Sequence, residues 1–225
     1  MVIDLSKTKL FQGVSKKEAE SMLDCLQGEE KFYRKGEIIL RMGDTVSSLG
    51  MVLSGSVMIE NDDIWGNRSI LDRVGPGQVF AETYACAPDE KLMVNVVAPE
   101  DAEILFLNTE RVIRTCSRSC PFHGMLIKNL LAISAQNNLK LSRRIFHTSP
   151  KTIRGKLLSY LSDQAVKWGR PEFDILFNRQ QLADYLSVDR SAMSKELGKM
   201  QKDGLIKVKK NHFTMLEGSL DDLLE

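Results

Sequence analysis

Apolar residues change their period several times along this chain, and each change marks a predicted element. Residues 15–26 carry helical spacing, opened by Ser15 and Glu18 in a capping-box pattern. From Lys31 the period shortens. Residues 37–41, 49–53, 56–60, 69–74 and 104–107 alternate or run apolar, separated by Gly36, Gly43, Gly55, Gly66, Gly75 and Gly77. Many short strands with glycine turns predict an antiparallel roll or barrel. Over residues 122–145 a sustained helical period returns. There Leu126, Leu130, Ile133, Asn137 and Leu141 follow alternating four- and three-residue steps over most of this length, a narrow stripe with a polar member at Asn137. A stripe of this kind predicts a two-stranded coiled coil and hence a homodimer. The alternative is a helix packed on its own roll, because Ile127 and Leu131 make a second apolar face.

Ser149 and Pro150 punctuate the end of that helix. An amphipathic helix is predicted over 152–167, then a turn at Gly169, Arg170 and Pro171, then a strand over 173–177. The pattern divides the chain into 1–121, 122–147 and 148–225, with a hinge near 147–150. The fold class is therefore α+β. In residues 178–215, Asn178 and Gln181 repeat the capping-box pattern, and Leu182, Ala183, Tyr185 and Leu186 share one helical face. After a turn at Ser187 and Val188, Asp189 can cap a second helix. Its inward residues are Ala192, Met193, Leu197 and Met200, leaving Arg190, Ser191, Ser194, Lys195 and Lys199 outside. Gly204 stops it, and Leu205, Ile206 and Val208 face Phe213 and Met215 across a turn at Lys210 and Asn211. Amphipathic helix pairs are common and often carry only a solvated charged face. The tight turn, the base-reading residue types, and Lys207, Lys209 and Lys210 on the hairpin mark this pair as a winged helix-turn-helix that binds double-stranded DNA.

The formal charge of +1 would argue against a nucleic-acid partner if it were spread evenly. It is not: residues 140–212 hold sixteen Lys and Arg against seven Asp and Glu, and the acidic tail 217–225 offsets part of this excess. No apolar run approaches the roughly 20 residues of a spanning helix, and the start lacks a signal peptide's apolar core, so a soluble cytoplasmic protein with no membrane partner is expected. Four cysteines without paired short spacings predict reduced thiols. An enzyme or effector-binding regulatory subunit on a cupin-like roll, without DNA binding, is the alternative function. His123, His147 and His212 all lie outside the roll, which leaves no two-His-plus-carboxylate set there.

A glycine-punctuated roll, a long helix and a winged helix-turn-helix together resemble the bacterial Crp/Fnr transcription regulators over essentially the whole chain. The matching stretches are FYRKGEIILRMGD (32–44), LSGSVMI (53–59), GPGQVFAE (75–82) and FNRQQLADYLSVDRSAMSKELGKMQKDGLI (177–206). The resemblance implies a double-stranded β-helix of the cyclic-nucleotide-binding type that binds a small effector. It also implies a homodimer through the long helix, a palindromic DNA site, and RNA polymerase as a partner. It places Arg190, Ser191 and Lys195 against base edges, Ser191 standing where many members have Glu, and Asn178 and Arg179 against phosphates.

Two departures qualify the resemblance. Cyclic-nucleotide-binding members carry a Gly-Glu pair and an Arg-Ser pair that holds the phosphate; here those places read Ala81-Glu82 and Leu92-Met93. Burying a phosphate without its guanidinium is costly. The pocket expected from Glu82, Thr83, Leu92 and Met93 should therefore take an effector other than cyclic AMP, whose identity the residues do not name. Iron–sulfur members need closely spaced N-terminal cysteines, and only Cys25 lies near the start, so no such cluster is expected. Cys116, Cys120 and His123 form a C-x-x-x-C-x-x-H string, with Cys86 in the roll. It reads either as a redox or metal site or as small residues packed where roll meets helix. No cofactor is assigned.

Overall fold

The computed structural model describes residues 3–62, 68–87, 89–114 and 122–216. Helix α1 (Lys16–Cys25) opens with Ser15 and Glu18 bonded reciprocally, the box anticipated from their spacing. The strands that follow are β1 (Glu29–Tyr33), β2 (Ile38–Leu40), β3 (Ser48–Ser54), β4 (Val57–Asp62), β5 (Arg68–Val74), β6 (Val79–Phe80), β7 (Asn95–Val97) and β8 (Ala102–Asn108). A short helix α2 (Glu82–Ala85) sits between β6 and β7, and α3 (Thr109–Ile113) follows β8. All strand pairs are antiparallel, in two four-stranded sheets ordered β1-β8-β3-β6 and β2-β7-β4-β5.

Val52, Val57, Phe80, Val96 and Ile104 are among the residues that fill the core of the roll. A second cluster joins Leu49, Met51, Leu53, Leu105 and Leu107 to Leu10, Phe11, Met22 and Leu26. Strand β3 is thus buried on both faces, which is why residues 49–53 read as an unbroken apolar run. Close approach explains one glycine in it: a Cβ on Gly50 would overlap the Phe80 ring. Strand β1 escaped the pattern reading because it is an edge strand with mostly exposed, charged residues.

Helix α4 (His123–Thr148) is long, but the first three members of the stripe predicted to be its dimer seam are spent elsewhere. Leu126, Leu130 and Ile133 are buried against Leu10, Phe11 and Met22 of the same chain. Asn129 reinforces this contact by donating to the carbonyls of Leu10 at 2.9 Å and Gln12 at 2.8 Å. Where the predicted stripe meets the N-terminal unit, a helix packed on its own roll describes α4 better than a seam does. The cover comes from Leu10, Phe11 and Val14 ahead of α1, which follow no sustained helical or strand period, together with Met22 of α1. Leu141 stays exposed.

The chain forms two compact units, Met1–Gln136 and Asn137–Glu225. The second contains α5 (Ile153–Trp168), β9 (Glu172–Asp174), α6 (Arg179–Leu186), α7 (Arg190–Lys202), β10 (Ile206–Lys209) and β11 (His212–Met215). Its strands pair in the order β10-β11-β9. Thr152 caps α5, and Gly169 ends it at φ +63°. Strand β9 stops three residues short of the expected Phe177. Beyond it the Ile175 amide bonds the Asn211 carbonyl, Leu176 is fully turned out, and Phe177 packs on the core.

Candidate nucleic-acid interface

Local bonds make α6 and α7 rigid. Asn178 accepts from the Gln181 amide at 3.0 Å, and the Gln181 side chain accepts from the Asn178 amide at 2.8 Å. Ser187 takes the left-handed conformation at φ +52°, turning the chain between the helices. Lys156 of α5 donates to the Leu186 carbonyl at 3.1 Å and so fills an orphan acceptor at the end of α6. Of the residues expected to face inward, Leu182, Ala183, Leu186, Met193, Leu197 and Met200 join one core with Phe173, Ile206, Phe213 and Met215.

The polar face of α7 divides into engaged and available groups. Ser191 donates to Asp189 at 2.6 Å, and Ser194 donates back to the Arg190 carbonyl at 2.9 Å. Lys199 stands 3.6 Å from Glu196. Glu196 in turn accepts from Arg154 Nε at 2.6 Å, while Arg154 Nη2 pairs with Asp203 at 2.7 Å, tying α5 to the far end of α7. These bonds hold the Glu196 carboxyl below its ordinary range. The Arg190 and Lys195 side chains are exposed and, among the described residues, make no hydrogen bond or ion pair. Asn178, Lys209 and Lys210 are also exposed, and Lys210 sits in the wing turn at φ +56°. Arg179 is half-buried, its guanidinium 5.2 Å over the Phe213 ring, so burial lowers its pKa.

Sequence reasoning missed Arg154 and Lys156, whose roles depend on partners about 30 or more residues away. It also missed the wing clamp. His212 Nδ1 lies 3.0 Å from Asp174 and Nε2 2.9 Å from Glu172, bonds that raise its pKa. The Gln201 side chain further accepts the Val208 amide at 2.9 Å, fastening the wing to α7.

In the roll, the expected effector residues separate. Glu82 is buried at the start of α2 and Thr83 is exposed; Leu92 is only 2% exposed whereas Met93 is 70% exposed. Ala81, just before α2, holds the left-handed conformation at φ +59°. A cleft of about 390 Å³ is lined by residues including Lys35, Ile38, Met58, Glu60, Asn95 and Val97, none of them among those four. Cys116 and Cys120 lie outside the described residues. His123 is buried, and its Nδ1 finds no hydrogen-bond partner among the described residues. No group of three or more His, Cys, Asp or Glu able to hold a metal occurs among them. Burial, with Glu82 nearby, raises the Cys86 thiol, which disfavours its thiolate.

Residues 30–119 match the cyclic nucleotide-binding domain family, and residues 155–218 match the Crp-like helix-turn-helix domain. The cyclic AMP receptor protein of Thermus thermophilus is 26% identical over 203 residues, covering 88% of each chain. Electron transport regulator A of Shewanella oneidensis is 25% identical over 206 residues, covering 87% of this chain and 78% of that one. The c-di-GMP responsive global regulator CLP of Xanthomonas campestris shares the fold at a TM-score of 0.57. It is 17% identical and covers 88% of this chain and 98% of that one. With a nucleotide-binding-type roll and a DNA-reading module in this order, the chain belongs to the Crp/Fnr family of DNA-binding transcription regulators and is not an enzyme.

Proposed function

We propose that the protein is a homodimer that reads a palindromic duplex site, with Arg190 and Lys195 contacting base edges in the major groove. The observation that carries this reading is the exposure of these two cations, whose side chains make no hydrogen bond or ion pair among the described residues, on a helix braced at both ends. Arg190 suits bidentate contact with guanine O6 and N7. Asn178, Arg179, Lys209 and Lys210 supply phosphate contacts that set register. With half-sites one helical turn apart, recognition helices would stand roughly 34 Å from centre to centre. A DNA partner places the protein in the cytoplasm, where RNA polymerase is the natural further partner. Among the described residues, no helix is long and apolar enough to cross a membrane.

The dimer seam we assign lies on the uncovered face of α4, through Leu131, Ala135, Asn138, Ser142 and Ile145. These follow alternating four- and three-residue steps. Leu131 is 69% and Ile145 62% exposed, large apolar side chains that a partner helix would cover. Residues 1–121 then form the effector roll, 122–147 the dimer helix and 148–225 the reading domain.

The roll takes a small effector other than cyclic AMP, because a buried Leu92 stands where a phosphate-holding arginine would be needed. A randomised-duplex selection with and without a metabolite extract tests the whole reading. Enrichment of a palindrome in either arm supports it, and enrichment in neither sinks it. A calorimetric titration reporting micromolar cyclic AMP affinity would overturn the effector assignment.

A further inference from the structure

The last turn of α4 is joined to the reading domain through a buried histidine. His147 is 4% exposed, and its Nδ1 lies 2.9 Å from the Tyr185 hydroxyl on α6. Its ring stands edge-on to Tyr160 of α5 at 5.4 Å, and Tyr160 stacks on Phe177 at 6.1 Å. Arg144, also on α4, lies over the Tyr185 ring at 5.7 Å. The Ser159 hydroxyl of α5 donates to the Phe146 carbonyl at 3.3 Å. Asp163 is the acid facing His147, at 3.7 Å from Nε2, too far for a hydrogen bond. The directional bond of the ring is therefore the one to Tyr185.

Burial lowers the His147 pKa, with Asp163 opposing and Arg143 assisting, and burial raises the Tyr185 hydroxyl. At neutral pH the ring is uncharged. With its proton on Nε2, toward Asp163, Nδ1 is left to accept from the Tyr185 O–H. An apolar plug would fill the same space, but only a hydrogen bond fixes distance and direction together. The bond links the exit of the long helix to the first helix of the helix-turn-helix, which itself contributes no residue to the proposed base contacts.

We propose that the His147–Tyr185 hydrogen bond is a positioning joint that sets the angle between α4 and α6, and thereby the half-site separation that the protein accepts. The inference rests on the homodimer reading above. A tilt of about 10° carried over roughly 20 Å, the length of a helix like α7, displaces its end by about 3.5 Å. That is close to one base-pair rise, about 3.4 Å. A joint with that lever selects among separations differing by a single base pair while leaving the contacts within each half-site alone.

The test uses full-length protein and duplexes carrying the half-site recovered by selection, either singly or as pairs whose separation is stepped by one base pair. Wild type should prefer one separation by about tenfold. Tyr185→Phe and His147→Leu should flatten that preference to within about threefold with single half-site affinity unchanged. His147→Asn, which keeps an acceptor near the Nδ1 position, should retain it. A wild-type separation profile in Tyr185→Phe overturns the joint. So does His147→Asn behaving like His147→Leu, the result a purely structural plug predicts. Wild type that sediments as a monomer instead removes the dimer reading and the joint with it, whereas a dimeric wild type with no separation preference overturns the joint alone.

Discussion

Ser191 donates its hydroxyl proton to Asp189 at 2.6 Å, and the same carboxylate oxygen accepts the Ala192 amide at 2.8 Å. Ser191 is therefore drawn into the cap of its own helix. Its lone pairs remain, but its donor is committed. Arg190, its neighbour, is exposed and has no such commitment among the described residues. Replacing Ser191 with Ala should alter sequence preference by no more than about twofold, whereas Arg190→Ala should cost about 1–3 kcal/mol and relax one base position. Binding measured against single-base variants of the selected site decides this; equal losses for both substitutions would refute the division of roles.

The two faces of α4 should respond differently to substitution. Leu126 is fully buried in its own chain, so Leu126→Ala should lower stability by about 2–5 kcal/mol. Leu131→Lys touches no core and should yield a folded protein that sediments as a monomer. A dimeric Leu131→Lys would exclude the seam we assign.

Ala81 sits at φ +59°, where a side chain costs about 1–2 kcal/mol relative to glycine. Ala81→Gly relieves that strain but loosens the unfolded chain. The net should be a gain of about 0.5–1 kcal/mol, read as a higher melting temperature of the roll. A lower melting temperature would mean that the methyl group packs more favourably than its backbone position suggests.

Two histidines should give opposite pH dependences. Hydrogen bonds to Asp174 and Glu172 raise the His212 pKa above 6.5. Its contribution to wing stability is therefore complete below pH 6.5 and is lost as pH rises through the folded value. Protonated His212 also offsets two carboxylates beside the wing, so DNA affinity should fall over the same rise. His212→Asn should flatten that dependence. Burial lowers the His147 pKa below 6.5, so its cost appears as pH falls through 6.5 and levels off once the folded value is passed. Titrating each imidazole by NMR would check both signs; a His212 that titrates below 6.5 would contradict the clamp.

The caps show why parts of this molecule could be read directly from residues. Ser15 with Glu18, Asn178 with Gln181, and Asp189 with Ala192 are each three residues apart, so their bonds follow from local helix geometry alone. The reading module was legible for the same reason, since spacing within one helix puts Met193, Leu197 and Met200 on one side and Arg190 and Lys195 on the other. Strand β1 was not legible, because an edge strand obtains its bonds from β8, more than 60 residues away, whatever its own polarity.

By itself, then, the sequence determined the order of the longer elements, the α+β class and the helix-turn-helix with its inward and outward faces, all of which rest on spacing and short-range chemistry, while the family came from the resemblance of whole stretches such as 177–206. Tertiary structure alone decided which face of α4 the N-terminal segment covers, leaving Leu131 and Ile145 outside in place of Leu126 and Leu130. It likewise decided which polar groups are spent, Arg154 on Glu196 and His147 on Tyr185, and that Leu92 is buried while Met93 is not. Helical periodicity reveals that a face is apolar, but only chain segments distant in sequence determine which apolar face is covered and which polar group finds a partner.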